Sequence, residues 1–82
     1  MKRSELTAFA LGAAVARLRR ERGLSQETLA FEAELHPTYI SSIERGGRSV
    51  GLEALIGLAR ALGMSASELL EHAEGTQRAG RG

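Results

Sequence analysis

The sequence predicts an all-α protein, a compact bundle of five helices, and three observations carry that expectation. Apolar residues recur at helical rather than alternating spacing, and thirteen alanines favour helix. The one proline stands where a helix can begin, and glycines stand where helices can end. Hydrophobic residues make up 43 % of the chain, with two Phe and one Tyr as the only aromatics, so the core must be Leu, Ile, Val and Ala. A chain of 82 residues holds one domain, and at that size its core has to be efficient.

The elements follow in order. The first helix starts at about Glu5 or Ala8 and runs to Arg22, with Leu11, Ala14, Val15 and Leu18 on one face and Gly23 as its stop. Ser25 caps the second helix, which ends near Ala33. Pro37 opens the third at the position where its missing N–H costs nothing, and that helix closes at Arg45 before Gly46 and Gly47. The fourth spans about Leu52 to Leu62, burying Leu52, Leu55, Ile56, Ala59 and Leu62, and Gly63 ends it. Ser65-Ala66-Ser67-Glu68 is a capping box that starts a short fifth helix carrying Leu69 and Leu70. Residues 1–73 therefore form the domain. Residues 74–82, EGTQRAGRG, are poor in apolar groups and are expected to be a disordered tail.

Function is written in the middle of the chain. The run QETLAFEAELHPTYISSIER, Gln26 to Arg45, reads as a helix-turn-helix. Leu29, Ala30 and Ala33 form the inner face of one helix, Ile40 and Ile43 that of the next, and Leu35 plugs the turn. Two helices crossing at ~90–120° leave room only for a small residue at the contact, which is the role of Ala30. Outward point Thr38, Tyr39, Ser41, Ser42 and Arg45, a set suited to base edges and phosphates in a major groove. Gln26 at the start of its helix and Arg48 in the following loop are placed to hold the DNA backbone. The competing reading of each is an ordinary solvated position, and for Tyr39 a half-packed one.

Charge and composition narrow the alternatives. The net charge of +1 is small for a nucleic-acid binder, but Arg17, Arg19, Arg20 and Arg22 crowd one helix end while Glu68, Glu71 and Glu74 gather far along the chain. With no cysteine, neither a disulfide framework nor a thiolate metal site is available, which suits a cytoplasmic protein. No apolar run approaches the ~20 residues of a membrane span, and no signal peptide is evident. His36 and His72 fit no ligand spacing, and no nucleophile–base pair or Gly-rich phosphate loop occurs. The expectation is a non-enzymatic protein without metal or cofactor.

The segments LRRERGLSQETLA, TYISSIERG and LEALIGLARALG, over roughly Leu11 to Leu70, resemble the Xre-type, or Cro/cI-like, helix-turn-helix family. Within it the chain looks most like the controller proteins of restriction–modification systems. The resemblance implies a lambda-repressor-like DNA-binding fold and a homodimer built on the last helices. It implies further that the dimer binds operators of inverted symmetry and regulates its own gene. It also implies that Glu44 faces inward and pairs with an arginine of the first helix, here Arg19. Three departures stand out. Glu34 occupies a position where such motifs favour glycine, which implies a positive φ. His36-Pro37 replaces the usual Asp/Ser–Arg/Lys start of the third helix. Ser49-Val50-Gly51 replaces Asn-Pro-Ser/Thr, leaving Gly51 as a weak cap.

The partners expected are double-stranded DNA and a second copy of the chain, with Leu69 and Leu70 in the subunit contact. RNA polymerase and a toxin protein are further candidates. The alternative functions are an antitoxin that represses its own operon, a small phage or plasmid repressor, and an adaptor that bridges proteins without reading DNA.

Overall fold

The computed structural model describes residues 6–81. Among them lie five helices: α1 (Ala8–Glu21), α2 (Gln26–Ala33), α3 (Pro37–Glu44), α4 (Leu52–Ala61) and α5 (Ala66–Arg81). Helix α1 packs against α5 and α3, α2 against α3 and α4, and α4 against α5. The core draws on every helix, through Leu11, Val15 and Leu18 of α1, Leu29 of α2, Ile40 and Ile43 of α3, Leu58 of α4, and Leu69 of α5.

Side chains start most of the helices. Thr7 caps α1, its Oγ1 accepting from the Ala10 N–H at 3.1 Å. Ser25 Oγ accepts from the Thr28 N–H at 3.0 Å, and His36 Nδ1 from the Thr38 N–H at 3.1 Å. Ser65 and Glu68 close the expected capping box, with Glu68 N–H to Ser65 Oγ at 3.1 Å and Ser65 N–H to Glu68 Oε1 at 2.9 Å. Those bonds, the Ser65 N–H first, hold the Glu68 carboxyl below the usual carboxylate range. Gly51 opens α4 without a side-chain bond.

Four helix ends share one device. The N–H groups of Leu24, Leu35, Gly47 and Met64 each donate to the carbonyl five residues back, at 3.1, 2.9, 3.0 and 2.9 Å. The residue before each is left-handed: Gly23, Glu34, Gly46 and Gly63. Glu34, at φ 59°, does without glycine's freedom at a cost of ~1–2 kcal/mol.

Two glycines inside helices set how closely the helices pack. A Cβ built on Gly12 would stand 1.9 Å from the Ile43 carbonyl oxygen, so α1 lies directly on the backbone of α3. A Cβ on Gly57 would stand 2.8 Å from the Ala33 carbonyl oxygen, which seats α4 on the end of α2.

That second contact corrects the expected face of α4. Leu52 and Ile56 were predicted to be buried, but they are 71 % and 47 % exposed. With Gly57 turned onto Ala33, the helix is rotated so that Ala54, Leu58, Ala59 and Leu62 enter the interior. The tail needs correcting as well. Residues 74–81 are not irregular, because α5 runs on to Arg81. Leu69, Ala73 and Gln77, spaced by four, form a buried seam, and Gln77 Oε1 accepts from the Thr7 backbone N–H at 2.8 Å. Composition suggested disorder there, and packing against α1 overrides it. Leu69 itself is fully buried and is therefore removed from any subunit contact, whereas Leu70 is half-buried.

The close crossing generates a test by substitution. Gly12→Ala should destabilise the protein by about 3 kcal/mol in urea melts, since a backbone carbonyl cannot step aside. Gly75→Ala, inside α5 with only the end of Arg78 nearby, should stabilise it by ~0.5–1 kcal/mol. Equal and small effects at both positions would refute the close approach of α1 and α3.

Candidate nucleic-acid interface

The outer side of α3 follows from its inner side. With Ile40 and Ile43 fully buried, the helical period turns Thr38, Ser41, Ser42 and Arg45 away from the core. Thr38 and Arg45 are exposed, and Ser41 and Ser42 are half-buried. Arg45 hydrogen-bonds through Nη1 to Ser41 Oγ, one turn back on the same face. Tyr39 sits at the edge of this face, its ring packed partly on the core. The Arg48 guanidinium carbon lies 5.4 Å from the centre of that ring. Such a cation–π contact holds the loop arginine beside α3 rather than leaving it free.

Gln26 approaches the same region from α2. A cleft between the starts of α2 and α3 is lined by Arg19, Ser25, Gln26, Glu27, Thr38 and Ser41, among others. The predicted residues Gln26, Thr38 and Ser41 thus share one wall system, while Ser42, Arg45 and Arg48 lie farther along α3 and its loop. The surface made by these groups is short, polar and locally cationic. Chemically it can donate and accept hydrogen bonds and neutralise phosphate, and it offers no nucleophile with a base.

The acid beside this face is not on it. Glu44 turns inward, its side chain 6 % exposed, and receives a fork from Arg19, which is 12 % exposed. Arg19 Nε donates to Oε2 at 2.7 Å and Nη2 to Oε1 at 3.1 Å. Arg19 Nη1 also donates to the Leu24 carbonyl at 2.8 Å. The Glu44 hydrogen bonds raise the Arg19 pKa above its ordinary value, with burial opposing them. One further bond had no signal in the sequence: Gln26 Nε2 donates to Glu44 Oε1 at 2.9 Å. Nothing periodic links positions 26 and 44, so only the folded chain reveals it. The Arg48–Tyr39 contact was equally unforeseen. The Ser41–Arg45 pair was not anticipated either, although its i, i+4 spacing is a signal that could have found it.

The two histidines have other duties: His36 caps α3, and His72 Nδ1 lies 3.3 Å from Arg17 Nη2. No helix among the described residues is long and apolar enough to cross a membrane.

The Arg19–Glu44 fork is open to a direct measurement. Arg19→Ala or Glu44→Ala strands a nearly buried charge and should cost ~3–5 kcal/mol in thermal melts. The double variant should lose clearly less than the sum. Additive losses of only a few tenths of a kcal/mol would mean that the pair does not hold the helices together.

Comparison with known proteins bears on this geometry. Control protein C.BamHI from Bacillus amyloliquefaciens is 52 % identical over 48 residues, which cover 58 % of this chain and 59 % of that protein. The chain thus spans about three-fifths of that relative's length. The crystal structure of the restriction–modification controller protein C.AhdI from Aeromonas hydrophila is similar at a TM-score of 0.73 and 42 % identity, covering 76 % of this chain and 94 % of that one. The controller protein C.Esp1396I, solved as a tetramer with its natural 35 base-pair operator, is similar at a TM-score of 0.77 and 29 % identity, covering 84 % of this chain and 91 % of that one. A family profile described as Helix-turn-helix matches residues 15–69, and with more than half of its length accounted for in this way, the chain belongs to the Xre-type helix-turn-helix family.

Proposed function

We propose that this protein is a homodimeric transcription regulator of the restriction–modification controller kind, which binds inverted-repeat operators and regulates its own promoter. The observation that carries the reading is the outer face of α3. It sets Thr38, Ser41, Ser42 and Arg45 opposite a fully buried Ile40 and Ile43, with Arg48 held alongside by Tyr39. The operator complex of C.Esp1396I supports it, because that relative is similar over most of this chain. Work on DNA puts the protein in the cytoplasm and makes RNA polymerase the second macromolecule at the promoter.

Two copies of α3 enter successive major grooves on one side of the duplex, at half-sites ~10–10.5 bp apart. Thr38, Ser42 and Arg45 read bases, while Gln26 and Arg48 hold phosphates. Since His36 and Pro37 place no long donor at the start of α3, direct base bonds are few. Groove width and bending then share in selectivity.

The dimer rests on α4 rather than on Leu69. Leu52 and Ile56 lie one turn apart on α4 and are large and exposed, so a second copy seated on this helix would remove both from water. Half-buried Leu70 on α5 adds to it. Two half-sites must be joined in this way, because one small interface of short side chains binds DNA weakly.

Selection from random duplexes should recover a symmetric site. Against that site, Arg48→Ala should weaken binding to all sequences alike and lower the salt slope by ~1 per subunit. Thr38→Ala or Ser42→Ala should instead change base preference with the slope kept. Recovery of no symmetric site, or sites indifferent to Thr38, Ser42 and Arg45, would overturn the assignment.

Sedimentation tests the interface. The wild-type chain should be a dimer at micromolar concentration, and Leu52→Glu with Ile56→Glu should give a folded monomer. A wild-type monomer, or a dimer that survives both substitutions, would remove α4 from the contact.

A further inference from the structure

The bond from Gln26 to Glu44 joins two features that otherwise look separate, a backbone-facing amide and a nearly buried ion pair. We infer that Glu44, held by Arg19, is a positioning residue for Gln26, fixing its carboxamide so that the remaining amide N–H is presented to a DNA phosphate. The inference rests on the DNA-binding reading above and goes beyond it by assigning the pair a task in binding as well as in folding.

Hydrogen-bond accounting leads there. An ionised carboxylate only accepts, so the group facing Glu44 Oε1 must be the amide nitrogen of Gln26 and not its carbonyl. The amide plane therefore has one orientation. Nitrogen carries two hydrogens, and with one given to Glu44 the other is available on a half-exposed side chain that lines the cleft with Ser25, Thr38 and Ser41. A glutamine free in solution loses side-chain entropy when it grips a phosphate, and one already anchored loses less. Arg19 is what makes an acid tolerable in that place. Its fork occupies both oxygens of Glu44 and offsets the charge, so the amide can meet a phosphate with little net repulsion from the carboxylate behind it.

Charge and position can be separated by replacing both partners together. Arg19→Met with Glu44→Met leaves the net charge unchanged, and an apolar pair of similar volume is commonly neutral or stabilising in place of a buried ion pair. Binding is read on the selected duplex and on a scrambled one, for wild type, Gln26→Ala, the Met pair, and the Met pair with Gln26→Ala. Gln26→Ala should loosen both duplexes by about 3- to 10-fold per subunit, the worth of one hydrogen bond. The Met pair should lose as much, and adding Gln26→Ala to it should cost nothing more. A Met pair that binds like wild type, or losses that multiply in the combined variant, would overturn the positioning role.

Should the Met pair fail to fold, two readouts on folded protein decide. Gln26→Asn keeps an amide but falls short of Glu44, and it should bind like Gln26→Ala; binding like wild type refutes the role. In the free wild-type protein the Gln26 side-chain NH2 should be as rigid as the backbone by 15N relaxation, and a freely rotating amide refutes it. A wild-type chain that binds no duplex defeats the DNA-binding reading itself. A wild-type chain that binds, with a mobile or uncoupled Gln26, defeats only the positioning.

Discussion

Everything in this domain depends on how α1 lies against α3. At Gly12 the backbone of α1 comes so near the Ile43 carbonyl that no side chain fits between them. This contact fixes the distance between the helices, and the Arg19–Glu44 fork nearer the other end of α1 fixes their rotation. A nearly buried ion pair is tolerable only where its geometry is good and its remaining hydrogens are satisfied. Here the fork is well formed, the Leu24 carbonyl accepts from Arg19, Gln26 donates to Glu44, and among the described residues no buried side-chain nitrogen or oxygen lacks a partner. Inner registry of α3 and outer presentation of its polar face are then one and the same fact.

The turns around this junction are built alike, and their likeness explains how so short a chain keeps its helices in order. Each of four helix ends folds its next N–H back over five residues onto a carbonyl of the last turn, which closes the end of the helix with the backbone's own groups. Three use glycine, and the turn between α2 and α3 uses Glu34. Its carboxylate is 3.4 Å from Arg60 of α4, but both groups are well exposed, and a pair of that kind contributes little. What keeps Glu34 left-handed is the backbone bond from Leu35 to Ala30 together with the packing of Leu35 on the core. The strain is borne by the fold, and it sets the angle at which α3 leaves α2.

A second consequence concerns the far side of the molecule. Gly57 pressed onto the end of α2 spends the buried face of α4 on small residues and on Leu58 and Leu62. Leu52 and Ile56 are left outside. On α5 a polar residue goes inside, for Gln77 is buried beyond Leu69 and Ala73 with its side-chain carbonyl accepting from the N–H of Thr7, the cap of α1. Polarity alone misjudges both helices, because a helix buries whatever its nearest neighbour leaves room for and can satisfy.

Much of this was legible in the residues. Period and caps placed the helices, since Ser25, Pro37, Ser65 and the glycines act through bonds that span only a few residues. The outward face of α3 was legible for the same reason, being a matter of helical period once Ile40 and Ile43 are taken inside. The facing of Glu44 toward Arg19 came from a family pattern, and the structure agrees. What the sequence by itself determined, then, was local order and the polarity of one face. Tertiary structure alone decided the close crossings at Gly12 and Gly57, the exposure of Leu52 and Ile56, the helical end of α5 and the bond between Gln26 and Glu44. These join positions far apart in the chain, where the deciding quantity is the room and the hydrogen-bond partner that another helix provides, and no spacing within a single segment encodes that.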